Sequence, residues 1–226
     1  MITENLAVDW EINIQCRPNN YPIVQIHDEQ GGKMERPVAP EELVRLLSQS
    51  EIVTSKWRDI PILPKNCIRY AEEAYNKNVY KLLLLLPAQN HDIWLFEQKI
   101  KGVAFPTLLF GFVVQGYRIK EKYVVALKDE LVTDETPLYK YPYSNVYEDA
   151  KACWRELPDI SEPRELRTIP ELFFACPDTT HLYGGREQNK SKLPYRDLLL
   201  QYQNKAFPIN ILVPRHETLR EFWERL

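Results

Sequence analysis

Cys153 follows Asn145 by eight positions in the run P-Y-S-N-V-Y-E-D-A-K-A-C-W-R-E-L, residues 142–157. A cysteine sulfur can exchange one thioester for another at almost no thermodynamic cost, after which an amine takes the acyl group irreversibly. A free thiol of pKa ~8.5 is a few per cent ionised at neutral pH, enough for such exchange without a strong base beside it. An irregular loop of this length can fold back and bring the Asn145 carboxamide near the sulfur. There it would donate to the oxyanion that develops on the acyl carbonyl. His181, after Thr179-Thr180, is the third candidate, since an imidazole near a thiol accepts a proton from an attacking amine or lowers the thiol pKa. Each has a plainer reading. A single cysteine is often a buried apolar filler, an Asn often ties its own loop backbone, and a His after a loop often sits on the surface. Asp178 and Asp159 are further carboxylates that would steer an amine, with nothing in the sequence to separate them.

The other cysteines, Cys16, Cys67 and Cys176, are scattered without CxxC spacing, and His27, His91, His181 and His216 form no HExxH pattern. No metal and no cofactor is expected, and Cys176 reads as packing. The 226 residues are 44% hydrophobic with net charge −3 and interspersed signs, so a core can be buried. Neither nucleic acid nor a membrane surface is an expected partner. The first residues lack a basic start and an apolar run, and Leu82–Leu86 is too short to span a bilayer. The expected location is the cytoplasm, with reduced thiols.

These residues need a scaffold. Alternation over 6–28, broken at Pro18-Asn19-Asn20, predicts a hairpin, residues 29–33 a turn, and Pro40–Gln49 a short helix. Residues 57–64 read as irregular, and Cys67–Asn76 as ambiguous, with Tyr70, Ala71 and Ala74 at helical spacing. Val79–Pro87, His91–Phe96, Thr107–Val114 and Lys122–Leu127 are β-rich, separated by turn signals, and predict four consecutive strands in an antiparallel meander. An irregular Thr136–Ala152 follows, then helices at Pro170–Ala175, Pro194–Lys205 and Glu217–Leu226. In the last, Leu219, Phe222, Trp223 and Leu226 share one face. Gly184-Gly185 reads as a turn. The expectation is an α+β chain with an N-terminal α/β extension over 1–76 and the site-bearing domain over 77–226.

The run around Cys153 resembles the active-site segment of ubiquitin-conjugating (E2) proteins, H-P-N-V-Y-x-D-G-x-x-C. Asn145, Val146, Tyr147, Asp149 and Cys153 fall in register, while Tyr143, Ser144 and Ala150 stand where that pattern has His, Pro and Gly. A closer resemblance is to prokaryotic E2 family D, the B component of PRTRC cassettes. It is carried by A-F-P-T-L-L-F at Ala104–Phe110, T-P-L-Y at Thr136–Tyr139 and F-F-A-C-P-D-T-T-H at Phe173–His181. The resemblance implies an E2-like fold: a four-stranded meander, the nucleophile loop, then helices. It implies a transferase that accepts a ubiquitin-like protein on Cys153 from an E1-like ThiF-family enzyme and passes it to an amine. A JAB-type protease would be a further component of the pathway. The competing readings are a catalytically silent module that scaffolds the same partners, and a Cys153/His181 thiol hydrolase, which leaves the Asn145 register unexplained.

Overall fold

The computed structural model describes residues 11–16, 20–27, 33–49, 60–73, 76–154, 157–184 and 187–226. The expected turn residues 18–19 and 29–32, residues 57–59, Ala74 and Gly185 lie outside them. The chain divides into two compact units, Met1–Asp59 and Ile60–Leu226.

In the first unit, β1 (Glu11–Gln15), β2 (Ile23–His27) and β3 (Lys33–Pro37) form an antiparallel sheet in that order, so the expected hairpin gains a third strand. Helix α1 covers Pro40–Gln49 as expected, with Glu41 and Glu42 in its first turn, where the exposed N–H groups favour negative charge.

The second unit opens on β4 (Cys67–Glu73), a strand rather than the helical turn that the spacing of Tyr70, Ala71 and Ala74 suggested. The reason is pairing: Arg69, Tyr70 and Ala71 register against Leu83, Leu82 and Lys81 of β5 (Asn76–Leu86), a tertiary contact that overrides local spacing. β6 (Gln89–Leu95) then pairs with β7 (Gln98–Phe105) as a separate two-stranded hairpin. β8 (Thr107–Gln115), β9 (Arg118–Leu127), β10 (Pro137–Tyr139) and β11 (Pro214–Thr218) complete a six-stranded sheet of order β11-β10-β9-β8-β5-β4. All its pairings are antiparallel. The expected pairing of consecutive strands is therefore corrected. β5 pairs with β8, and the β6–β7 hairpin is an excursion between them.

The core lies on both faces of this sheet. Leu82, Leu84, Phe110, Phe112, Val124 and Ala126 belong to one apolar cluster, and the intervening Leu83, Leu109, Val125 and Leu127 to another. Burial on both faces is why β5 and β8 read as unbroken apolar runs. The first face is covered by a 3-10 turn (Pro163–Thr168), α2 (Ile169–Ala175) with Phe173 and Phe174 buried, and α3 (Tyr195–Gln201). The second is covered by α4 (Leu219–Arg225), whose Leu219, Phe222 and Trp223 are buried as the spacing predicted. Thr218 and Glu221 form a reciprocal capping box at its start. At Gly111 an added Cβ would stand 3.2–3.3 Å from Leu226, Leu83 and Phe222, so glycine lets α4 lie close on the strand. The architecture is α+β, and no helix among the described residues is long and apolar enough to cross a membrane.

Candidate active site

Residues 140–154 leave β10 without regular structure and close on themselves through an isolated bridge between Val146 and Ala152. The Cys153 N–H donates to the Asn145 carbonyl at 2.7 Å, so the eight-residue spacing does bring the two backbones together. Two residues in the loop adopt left-handed backbone, Asn145 (φ 66°) and Ala150 (φ 73°). Asn accepts that conformation more readily than most side chains. Alanine does not, at about 1–2 kcal/mol, which gives a physical reason for the glycine that the E2 pattern has there.

The loop is pinned on one side to β9. Val124 N–H donates to the Ala150 carbonyl and Ala152 N–H to the Lys122 carbonyl, each at 2.9 Å. Lys140 pairs with Glu148 at 2.5 Å, and Arg215 donates to the Glu148 carbonyl at 3.0 Å. The Cys153 thiol is exposed, and the Tyr147 hydroxyl contacts its sulfur at 3.5 Å. That contact is the main reason the half-exposed Tyr147 phenol is held above its ordinary range.

On the inner side the loop rests on buried polar groups. The Asn145 side chain points inward: Nδ2 donates to Asp178 Oδ1 at 2.5 Å and to the Pro177 carbonyl at 3.3 Å. Both partners are acceptors, which fixes the orientation of the amide. Asp178 is only 5% exposed and also accepts from the Tyr195 hydroxyl, which receives the Ser144 N–H at 3.3 Å. Burial pushes the Asp178 carboxyl up to about 7, against the opposing pull of the Tyr195 and Asn145 hydrogen bonds. Burial likewise keeps the Tyr195 phenol well above its usual range, so it stays a donor. The Asp178 backbone is anchored to β6, its N–H donating to the Trp94 carbonyl and its carbonyl accepting from Phe96.

Tyr143, where the E2 pattern has His, is fully buried and donates to the Ala104 carbonyl at 2.5 Å. Gln188 donates to the Tyr143 carbonyl and Asn189 to the Pro142 carbonyl, both from buried side chains. His181 lies exposed on a turn three residues beyond Asp178, with its N–H on Thr179 Oγ1 at 3.4 Å. Among the described residues no hydrogen bond joins its ring to Cys153. Cys176 is half-buried against the first core cluster, and burial raises its thiol pKa. Beside Tyr147 opens a cleft of about 510 Å³, open solvent included, with Lys140, Val146, Glu148, Leu182 and Arg215 among its walls.

The structure thus joins Asn145 and Cys153 through their backbones, with the Asn145 side chain on Asp178, and no hydrogen bond among the described residues links His181 to either. Sequence reasoning missed Tyr195, Gln188 and Asn189, which support the loop from below. Polar residues in an aperiodic stretch carry no spacing signal, and only their burial reveals them.

The family model of prokaryotic E2 family D matches residues 42–215 of the 226. Nothing matches among curated proteins, and nothing matches among solved structures.

Proposed function

The chain belongs to prokaryotic E2 family D, and from that premise we propose that it is an E2-like transferase that carries a ubiquitin-like protein as a thioester on Cys153. The observation that supports this best is the exposed thiol on a loop closed by the Cys153–Asn145 backbone hydrogen bond and buttressed from beneath by Asp178 and Tyr195. A nucleophile that must meet two large partners in turn has to be accessible and rigidly presented at once. In this reading an E1-like ThiF-family protein delivers the modifier, and the Cys153 thiolate attacks the incoming thioester carbonyl and expels the donor thiol. An amine then attacks the new thioester, Asn145 stabilises the oxyanion, and His181 accepts the amine proton.

One observation favours the second reading, a scaffold that binds the same partners without turnover. Both acceptors of Asn145 Nδ2 lie inward, so an oxyanion outside the loop meets its donors only if the side chain turns. The test is to incubate the chain with ATP, a ThiF-type enzyme and its ubiquitin-like protein, and compare non-reducing with reducing gels. The transferase reading expects a thiol-sensitive adduct that is absent in Cys153→Ala. An adduct that survives that substitution contradicts it. So does the lack of any adduct while the activating enzyme forms its own, which leaves the scaffold reading.

A further inference from the structure

Tyr147 opens the turn at the tip of the loop that ends on Cys153. Its backbone is held twice: its N–H donates to the Lys151 carbonyl and its carbonyl accepts from the Ala150 N–H, each at 2.9 Å. The half-exposed ring is therefore presented from a fixed point, and its hydroxyl donates to the Cys153 sulfur at 3.5 Å. Other donors of the loop are spent elsewhere. The Lys151 N–H lies on Asp149 Oδ1 at 3.0 Å, the Ala152 N–H on the Lys122 carbonyl and the Cys153 N–H on the Asn145 carbonyl. Asn145 Nδ2 faces Asp178 and the Pro177 carbonyl, and the Trp154 side chain donates to the Cys176 thiol.

We propose that Tyr147 is a catalytic residue of the transfer step, whose hydroxyl donates to the oxyanion that forms when an amine attacks a Cys153 thioester. It is a donor to the same oxygen as Asn145, in place before the Asn145 side chain has turned. The inference rests on the proposed thioester at Cys153. In the step, the amine nitrogen attacks the thioester carbonyl, the C–N bond forms and the carbonyl π pair moves to oxygen. The Tyr147 O–H donates a hydrogen bond to that oxygen and keeps its proton. As the carbonyl re-forms, the C–S bond breaks and sulfur leaves as the Cys153 thiolate. Nitrogen passes its proton to the base, a role that the proposed function gives to His181.

The geometry suits this exchange of acceptors. With the thiol free, the hydroxyl rests on sulfur. Acylation makes that sulfur a poor acceptor and introduces a carbonyl oxygen two bonds away from it. Donors act on an oxyanion at about 3 Å, a separation that a hydroxyl standing 3.5 Å from the neighbouring sulfur allows. The phenol is held above its ordinary range, chiefly by its contact with the thiol, so it remains a donor.

The experiment needs no protein partner. The full chain is loaded on Cys153 with the thiophenyl ester of N-acetyl-glycyl-glycine, freed of excess ester by gel filtration and given free lysine. Mass spectrometry follows the loss of the hydroxylamine-labile adduct and the growth of acyl-lysine. Both the unchanged chain and Tyr147→Phe are loaded to completion first, so slower loading does not enter the comparison. Alkylation of the free thiol by iodoacetamide is the control, because it uses the same sulfur and forms no oxyanion. In Tyr147→Phe, discharge to lysine should slow about a hundredfold, by a factor at least about ten times larger than the slowing of alkylation. A smaller margin means that the hydroxyl serves the thiolate alone, which overturns the inference and leaves the proposed function standing. Failure of Cys153 in the unchanged chain to acquire the acyl group overturns both.

Discussion

Asn145 Nδ2 donates to Asp178 Oδ1 at 2.5 Å across 33 residues of sequence, tying the loop that carries the nucleophile to a carboxyl buried beneath it. Since Asp178 is also held by Tyr195 and anchored by its backbone to β6, the position of the loop depends on a group that titrates.

That titration has a definite sign. Asp178 titrates near 7 in the folded chain against 3.8 ordinarily, so between those values the folded state keeps a proton that the unfolded state has lost. Stability from this group therefore falls as pH rises from about 4 to about 7 and is flat above, by at most about 4 kcal/mol. Asp178→Asn keeps an acceptor for Asn145 and offers an N–H to Tyr195, so it should flatten the profile. Urea midpoints at pH 5 and pH 8 check this; an equal pH difference in both proteins refutes it.

Asn145→Ala removes both inward hydrogen bonds and places alanine at φ 66°. It should cost about 2–4 kcal/mol in denaturant unfolding. Asn145→Asp brings a second carboxyl against Asp178, and its deficit should be larger at pH 8 than at pH 5. Where Asn145→Ala is still folded, the proposed oxyanion role predicts loading within a few-fold of normal and discharge to free lysine about a hundredfold slower. Equal loss in both steps would point to a collapsed loop.

Tyr147→Phe removes the hydroxyl that contacts the Cys153 sulfur. The ring is exposed on the loop, so the melting temperature should hold, while alkylation of Cys153 by iodoacetamide slows two- to tenfold as the thiolate loses a donor. A rate equal to that of the unchanged chain would make the contact incidental.

Tyr143→Phe leaves the buried Ala104 carbonyl without its partner at 2.5 Å. The expected loss is about 1–3 kcal/mol. Tyr143→His, the residue of the E2 pattern, should cost more, since a smaller ring leaves a void among Phe105, Tyr141 and Phe207. Guanidinium midpoints rank the three proteins.

His181→Gln should leave the melting temperature unchanged, because the residue is exposed on a turn. If His181 accepts the amine proton, discharge of a Cys153 thioester to free lysine slows by about a hundredfold while loading is unaffected. Discharge at the normal rate would remove His181 from the mechanism.

The local elements were legible where a segment's own pattern matched its final surroundings. Helix α1, the strand cores of β5, β8 and β9, and the docking face of α4 all follow from apolar spacing, and β5, β8, β9 and α4 bury their apolar residues in the way their period dictates. The Asn145–Cys153 register was legible for a related reason, since the length of a loop that folds back on itself is written in its residue count. What the chain alone could not convey was pairing between distant segments. β4 stayed ambiguous until β5 supplied an edge for it to pair with, and β7 and β11 carry too little alternation to stand out. The same limit governs the site. Cys153 could be named from its neighbours in sequence. That the Asn145 side chain faces Asp178, and that burial raises the Asp178 carboxyl, were settled by which groups the folded chain packs beneath the loop. Those are properties of the assembled sheet and of no single segment.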